Sequence, residues 1–251
     1  MRSALLLCAC SLVCLIVISQ AEEQCGTEIK ILLLPAELHS ALRSLNAGPK
    51  AIGSVYFFDT NALELLSQGV ILRLRTGAIS DITVKLRPPV NLEESSGNRD
   101  VDHYKCEVDL TAEAALRSYS IQTKFAGTLP TTGAELFELL STTQKGLLER
   151  AHVSIDWARI KRSPKIKSTN WQIEHQPYFS KLALELWQWP TGAILELSTR
   201  VASDARASTY GQLRQVVESN GLSVNKEQKS KTTLVLEDRR LHVGGPWDRP
   251  S

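Results

Sequence analysis

The chain has 251 residues, 43% of them hydrophobic and 22% charged, with a formal net charge of +2. That length suits one large domain or two small ones, with one the simpler reading, and the apolar share suffices for a core. The near-neutral balance excludes a global attraction to nucleic acid or acidic membranes, so any anion site must come from local clustering of charge.

Residues 1–21, MRSALLLCACSLVCLIVISQA, place Arg2 before an apolar run and end on Ser19-Gln20-Ala21, with small residues where a signal peptidase needs them. This reads as a signal peptide cleaved after Ala21, which predicts export to a periplasm or the medium and no membrane span afterwards. The run is short for a spanning helix, which needs ~20 residues. The alternatives are an uncleaved anchor or lipid attachment at Cys10 or Cys14. Cleavage leaves two cysteines, Cys25 and Cys106. In an exported protein they form one disulfide or remain two free thiols. The five histidines are scattered, without the spacing of a zinc site.

A strand has a side-chain period of two, so alternate residues share a face. Read this way, one design recurs along the chain. CGTEIKILLL sets Glu28 and Lys30 against Ile29, Ile31 and Leu33. Pro35 then opens an amphipathic helix over 35–46, with Leu38, Leu42 and Leu45 on one side, ended by Asn46-Ala47-Gly48-Pro49. A strand over 54–59 and a short helix through ALELLSQ, closed by Gly69, follow. ILRLR puts Arg73 and Arg75 opposite Leu72 and Leu74; TVKLR puts Lys85 and Arg87 opposite Val84 and Leu86. The two runs form a hairpin. Residues 88–102 are a loop by composition.

YKCEVDL repeats the design, with Lys105, Glu107 and Asp109 opposite Cys106, Val108 and Leu110. Cys25 also lies on the aliphatic side of its strand, which makes a bridge to Cys106 sterically feasible. TAEAALRS and GAELFELLSTTQKGLLERA are expected as helices. VSIDWARIKRS is expected as a strand with Arg159 and Lys161 on one face, and WQIEHQ is ambiguous. KLALELWQW sets Glu185 against Leu182, Leu184 and Leu186; AILELSTRV carries Glu196, Ser198 and Arg200 together. A helix over 207–219 precedes Ser230-Lys231-Thr232 and an expected last strand, TLVLE, with a disordered tail at 239–251.

Two architectures fit strands that are charged on one side and aliphatic on the other. The charges can form the solvated face of an open sheet. Alternatively, the sheet closes into a barrel with its charged faces inward, and about eight strands can enclose a ligand. Burying so many cations without an anion would be costly, so a closed interior implies a polyanionic ligand, metal ions, or both.

The succession YFFDT, LELLSQG, LRLR and TVKLRP resembles the CYTH superfamily, the triphosphate tunnel metalloenzymes. Gly26-Thr27-Glu28-Ile29-Lys30 stands in the slot of the family's E-x-E-x-K motif, with Gly26 in place of its first acid. Lys105-Cys106-Glu107-Val108-Asp109 is similar to its R-x-E-x-E strand. Glu196-Leu197-Ser198 resembles its C-terminal acidic strand, with Ser198 where a second acid is expected, and Ser230-Lys231 its closing signature.

Over residues 27–236 the resemblance implies an α+β fold, an eight-stranded antiparallel barrel with helices packed outside. It implies metal-dependent hydrolysis of a triphosphate, inorganic or attached to a larger compound, or an impaired protein that binds polyphosphate or another phosphorylated anion. The phosphate contacts would be Lys30, Arg73, Arg75, Lys85, Arg87, Lys105, Arg159, Lys161, Arg200 and Lys231. Glu28, Glu107, Asp109, Glu185 and Glu196 would hold Mg2+ or Mn2+. Glu28, Lys30, Arg73, Arg75 and Lys85 would carry the chemistry. The partner is a small anionic ligand rather than nucleic acid.

Overall fold

The computed structural model describes residues 25–91, 104–112, 114–176, 178–201 and 206–240. The expected signal peptide, most of the 88–102 loop and the tail beyond residue 240 lie outside the described residues.

In chain order the elements are β1 (Gly26–Leu33), a 3-10 turn (Pro35–Glu37), α1 (Leu38–Ser44), β2 (Lys50–Asp59), α2 (Glu64–Ser67), β3 (Val70–Gly77) and β4 (Asp81–Leu86). Then come β5 (Tyr104–Leu110), β6 (Ala115–Lys124), α3 (Gly133–Leu139), α4 (Thr142–Arg150) and β7 (Lys161–Arg162). The chain continues through β8 (Ile166–Gln176), β9 (Phe179–Trp189), β10 (Gly192–Val201), α5 (Arg206–Ser219) and α6 (Lys231–Arg240).

Nine strands close a ring in the order β3-β4-β6-β5-β1-β10-β9-β8-β2, with β2 returning to β3. The short β7 adds to the end of β2. The fold is thus the α+β barrel with outer helices that the motifs implied, with two differences. It has nine strands rather than eight, and β1 and β5 run parallel. That parallel register sets Glu28 abreast of Asp109 and Gly26 abreast of Glu107. Cys25 and Cys106 therefore meet one step further along, and they form a disulfide with Cα atoms 4.7 Å apart.

The outer faces make two cores. Ile29, Ile31 and Leu33 pack with Ala41 of α1, with Leu45 just past its end, and with Leu213, Val216 and Val217 of α5. Leu72, Leu74, Ile82, Val84 and Leu86 pack with Leu136, Leu147 and Leu148 of α3 and α4. Each such buried aliphatic side chain contributes about 1.5–3 kcal/mol of transfer free energy. The expected helix over GAELFELLSTTQKGLLERA is broken in two at Ser141. Thr132 and Ser141 each form a capping box, with Glu135 and Gln144 as the reciprocating residues.

Three expectations fail, each for a tertiary reason. TAEAALRS is helical by composition, but residues from Ala115 onward join a strand paired on both edges, to β4 and β5. The paired ladders override a local preference that is weak per residue. TLVLE is not a strand, because the ring is already closed between β2 and β3. It forms α6 instead, and the Thr233 amide donates to the Ser230 hydroxyl at its start. Residues 153–160 carry no strand, and only Lys161 and Arg162 pair, with the last two residues of β2.

One end of the barrel interior is apolar. Leu32, Val55, Phe57, Ile71, Trp187 and Ile194 point inward there and pack against Val235 and Leu236 of α6. This helix closes the barrel floor. Asp238 anchors it by accepting from Trp189 Nε1 and Thr191 Oγ1, each at 2.6 Å.

Candidate functional site

Above that floor lies a cavity of about 1090 Å³. Its walls are the inward faces of the strands, because parity carries each charged row to the inside. Ten cationic residues line it against five carboxylates, an excess of five positive charges. The carboxylates are the five expected ones, Glu28, Glu107, Asp109, Glu185 and Glu196. Lys30, Arg73, Arg75, Lys85, Arg87, Lys105, Arg200 and Lys231 all line it. Lys105 and Arg200 stand exposed on its wall. Arg159 and Lys161 are not among its lining residues: Arg159 pairs with Glu64 at 2.5 Å on the surface, and Lys161 sits at the outer end of β2. Their expected phosphate-binding role loses its placement because the strand that would carry them inward does not form.

Asp109 is the hub of one wall. It accepts from Lys30 Nζ at 2.7 Å, Lys85 Nζ at 3.1 Å and Arg87 Nη2 at 2.7 Å. Burial alone would raise its pKa, but these three cations hold it well below the ordinary carboxylate range. Burial works against Lys30 too, yet Asp109, Glu28 and Glu196 together keep its ammonium firmly charged. Lys85 shares the same Asp109 and moves the other way, down to about 8. Burial is the main cause, and Arg87 and Lys30 beside it add repulsion. One carboxylate charge is being divided among three cations, and Lys85 receives less net benefit than Lys30.

A second cluster inverts that ratio. Glu185 and Glu196 face each other across the β9–β10 register, and Lys231 reaches up from α6 between them. Its Nζ lies 2.8 Å from Glu196, contacts Glu185, and sits 4.8 Å from the Trp187 ring centre. Glu185 also accepts from Ser168 Oγ at 2.8 Å and Trp187 Nε1 at 2.7 Å. Burial would raise Glu185, but Lys231 and these donors hold it at about 2. Burial lifts Glu196, which has fewer donors.

Arg75 donates from both Nε and Nη2 to a single oxygen, Oδ2 of Asp81, at 2.9 and 2.6 Å. Asp81 is buried and also accepts from Gln122 at 3.0 Å and Thr83 at 3.0 Å. Reasoning from sequence missed it, although its parity with Lys85 on one short strand was the available signal. Lys181 and Lys229 also line the cavity without having been anticipated.

Arg73 differs from the rest. Its guanidinium donates to the Thr83 hydroxyl at 3.3 Å, has no carboxylate within ion-pair distance among the described residues, and its Nε is buried without a partner. Burial lowers its pKa to about 10, and neighbouring Arg75 adds to the fall.

The five carboxylates are a poor match for a preformed divalent site. Among the described residues no three acidic, histidine or cysteine side chains are placed to hold a metal ion. Asp109 is surrounded by cations, Glu185 and Glu196 share Lys231, and Glu28 pairs with Lys30 at 3.0 Å. Glu107 has Arg200 at 3.5 Å and Lys85 at 4.0 Å. Magnesium would have to displace an ammonium to gain oxygen ligands.

Fold and interior together define a closed barrel, plugged at one end, with a cationic chamber. Solved structures that share this fold include two with substantial overlap. One is an adenylyl cyclase candidate from Hippeastrum described as having a dominant triphosphatase activity, at 16% identity and a TM-score of 0.58, covering 84% of this chain and 94% of that one. The other is an adenylate cyclase candidate from Bacillus halodurans, at 15% identity and a TM-score of 0.54, covering 84% and 97%. At such identity the likeness shows the fold. No protein-family model matches the sequence, and no curated protein matches it. Among the described residues no helix is long and apolar enough to cross a membrane.

Proposed function

We propose that the barrel binds a triphosphate-type polyanion, either tripolyphosphate or the triphosphate group of a larger compound. The observation that carries this reading is Arg73, a cation on the cavity wall whose buried Nε lacks a partner and which has no carboxylate within ion-pair distance among the described residues. A desolvated guanidinium left in this state is costly, and the phosphate oxygens of a ligand would satisfy it as charge-assisted, bidentate acceptors. Lys85, Arg87 and Lys30 stand nearby on the adjoining wall and would take the remaining phosphoryl groups. A chain of phosphates is favoured over a single anion because Lys30, Arg73 and Lys85 are set on three different strands, β1, β3 and β4, with Arg87 just past the end of β4, rather than at one point.

A second reading is hydrolysis of the bound triphosphate with Mg2+ or Mn2+, favoured by the shared fold with the Hippeastrum triphosphatase. Glu28, Glu107 and Glu196 would be the metal-holding residues, but their present pairing with cations does not support that role. Export remains part of the proposal. The Cys25–Cys106 disulfide supports it, since such bonds persist in oxidising compartments.

Calorimetric titration of the purified protein with tripolyphosphate, run beside phosphate release with magnesium or manganese, tests both readings. Tight binding that Arg73→Gln weakens, without turnover, establishes the binding protein. Metal-dependent release of phosphate establishes the hydrolase. Absence of binding and of turnover sinks the proposal.

A further inference from the structure

We infer that Lys231 serves as a built-in counter-cation, bridging Glu185 and Glu196 where a divalent ion would otherwise be needed, so that the barrel accepts its polyanion without metal. This inference rests on the polyanion-binding reading above and specifies how that site works.

Glu185 and Glu196 are directly opposed in the β9–β10 register, so their like charges meet just above an apolar floor. Two carboxylates placed like that need a cation, and like charges in low dielectric repel strongly. Lys231 provides it from α6, and only 10% of its side chain is exposed. The ammonium is not a roaming surface charge. Ser230 caps the helix, Val235 and Leu236 fill the barrel floor, and Asp238 ties the far end to Trp189 and Thr191. The Trp187 ring faces the same Nζ. Withdrawing Lys231 to admit a metal would require α6 to move or the long side chain to find other partners in a chamber already rich in cations. Nor do the other three carboxylates offer an alternative, since Asp109 is surrounded by three cations, Glu28 is paired with Lys30 and Glu107 faces Arg200 and Lys85. The lysine thus does two things. It offsets part of the carboxylate charge that would repel phosphate, and it leaves the cationic excess of the other wall available to the ligand.

The test is titration of tripolyphosphate into the protein with EDTA, then with magnesium, together with Mn2+ uptake by the protein alone, read by electron paramagnetic resonance. The expected result is affinity that agrees within about threefold between the two conditions, a difference well under one decade of Kd, and no Mn2+ uptake. Binding seen only with magnesium, or stoichiometric Mn2+ uptake by the unmodified protein, overturns the inference while leaving polyanion binding intact. Binding in neither condition removes the underlying reading, and the inference with it. Lys231→Met should bare the two glutamates, take up Mn2+, and bind tripolyphosphate about tenfold or more weakly unless metal is added, as expected for loss of a charged contact. A folded Lys231→Met protein with unchanged affinity and no Mn2+ uptake contradicts the inference. Because baring two buried carboxylates can unfold the chain, Lys231→Arg is the companion variant. It keeps the charge and should keep metal-independent binding; a gain of Mn2+ uptake there counts against the inference.

Discussion

The two walls of the chamber solve the same electrostatic problem in opposite ratios. On one, a single carboxylate, Asp109, serves three cations; on the other, a single cation, Lys231, serves two carboxylates. Both clusters touch α6, the second through Lys231 between its two carboxylates and the first through Arg87 Nη1, which donates at 3.0 Å to Oγ of Ser230 at the helix start. The contrast shows that the number of charges in a barrel says little about its ligand. What matters is which charges remain after internal pairing. Here the surplus is cationic and lies around Lys30, Arg73, Lys85 and Arg87.

The sharpest way to break that contrast is to remove the hub. Asp109→Asn should lower unfolding stability by about 3–5 kcal/mol, since it takes the shared carboxylate from three buried cations and leaves Lys30 with Glu28 and Lys85 with the more distant Glu107. Urea denaturation measures this, and tripolyphosphate should return part of the loss by binding only the folded state. The parallel seam between β1 and β5 comes next. Cys106→Ser removes the crosslink spanning 81 residues of sequence and should cost about 2–5 kcal/mol under oxidising conditions. A variant as stable as the parent would show that β1 and β5 are held by pairing and packing alone.

Arg73 belongs to neither cluster, so its removal separates binding from folding. Arg73→Gln should weaken tripolyphosphate binding by about 10–100-fold, the range for charged hydrogen bonds, with stability unchanged or slightly higher. Equal losses in both measurements would assign Arg73 to the scaffold.

Acidity sharpens the difference further through Lys85, whose folded-state pKa is depressed to about 8 from an ordinary 10.5. Below about 8 it is charged in both folded and unfolded chains, and its burial cost is fully present. Between about 8 and 10.5 the folded state has lost the proton that the unfolded state retains, so stability relative to Lys85→Met rises with pH. Anion affinity should run the other way, falling as pH rises through about 8. Parallel trends in the two measurements would contradict the assignment. The smallest effect is expected at Arg159→Ala. That surface pair with Glu64 should contribute less than about 0.5 kcal/mol, and anion affinity should stay unchanged.

Much of this was legible from strand parity, and the physical reason is simple. The ILRLR and TVKLR runs place Arg73, Arg75, Lys85 and Arg87 on one face whatever their neighbours do. The same rule placed Glu28 with Lys30 and Glu107 with Asp109. It failed where the local signal was weaker than the context. The alternation in Ser118-Tyr119-Ser120-Ile121 marks a strand, but the alanines before it favour a helix, and only pairing with β4 and β5 decides between them. Arg159 and Lys161 share parity too, yet no partner strand exists along residues 153–160 to hold them in a row.

By itself, then, the sequence determined which side chains share a face, where the turns fall and that the charged faces form one set, because these follow from backbone periodicity within a few residues. Only the tertiary structure decided that the faces turn inward, that β1 and β5 run parallel with their cysteines abreast, and that Ser230 begins a helix whose Lys231 rises between Glu185 and Glu196. Those outcomes depend on ring closure among strands up to about 170 residues apart, as in the pairing of Glu28 with Arg200. They depend equally on desolvation, which sets how one buried charge is divided among its neighbours. Neither quantity exists until the chain has closed.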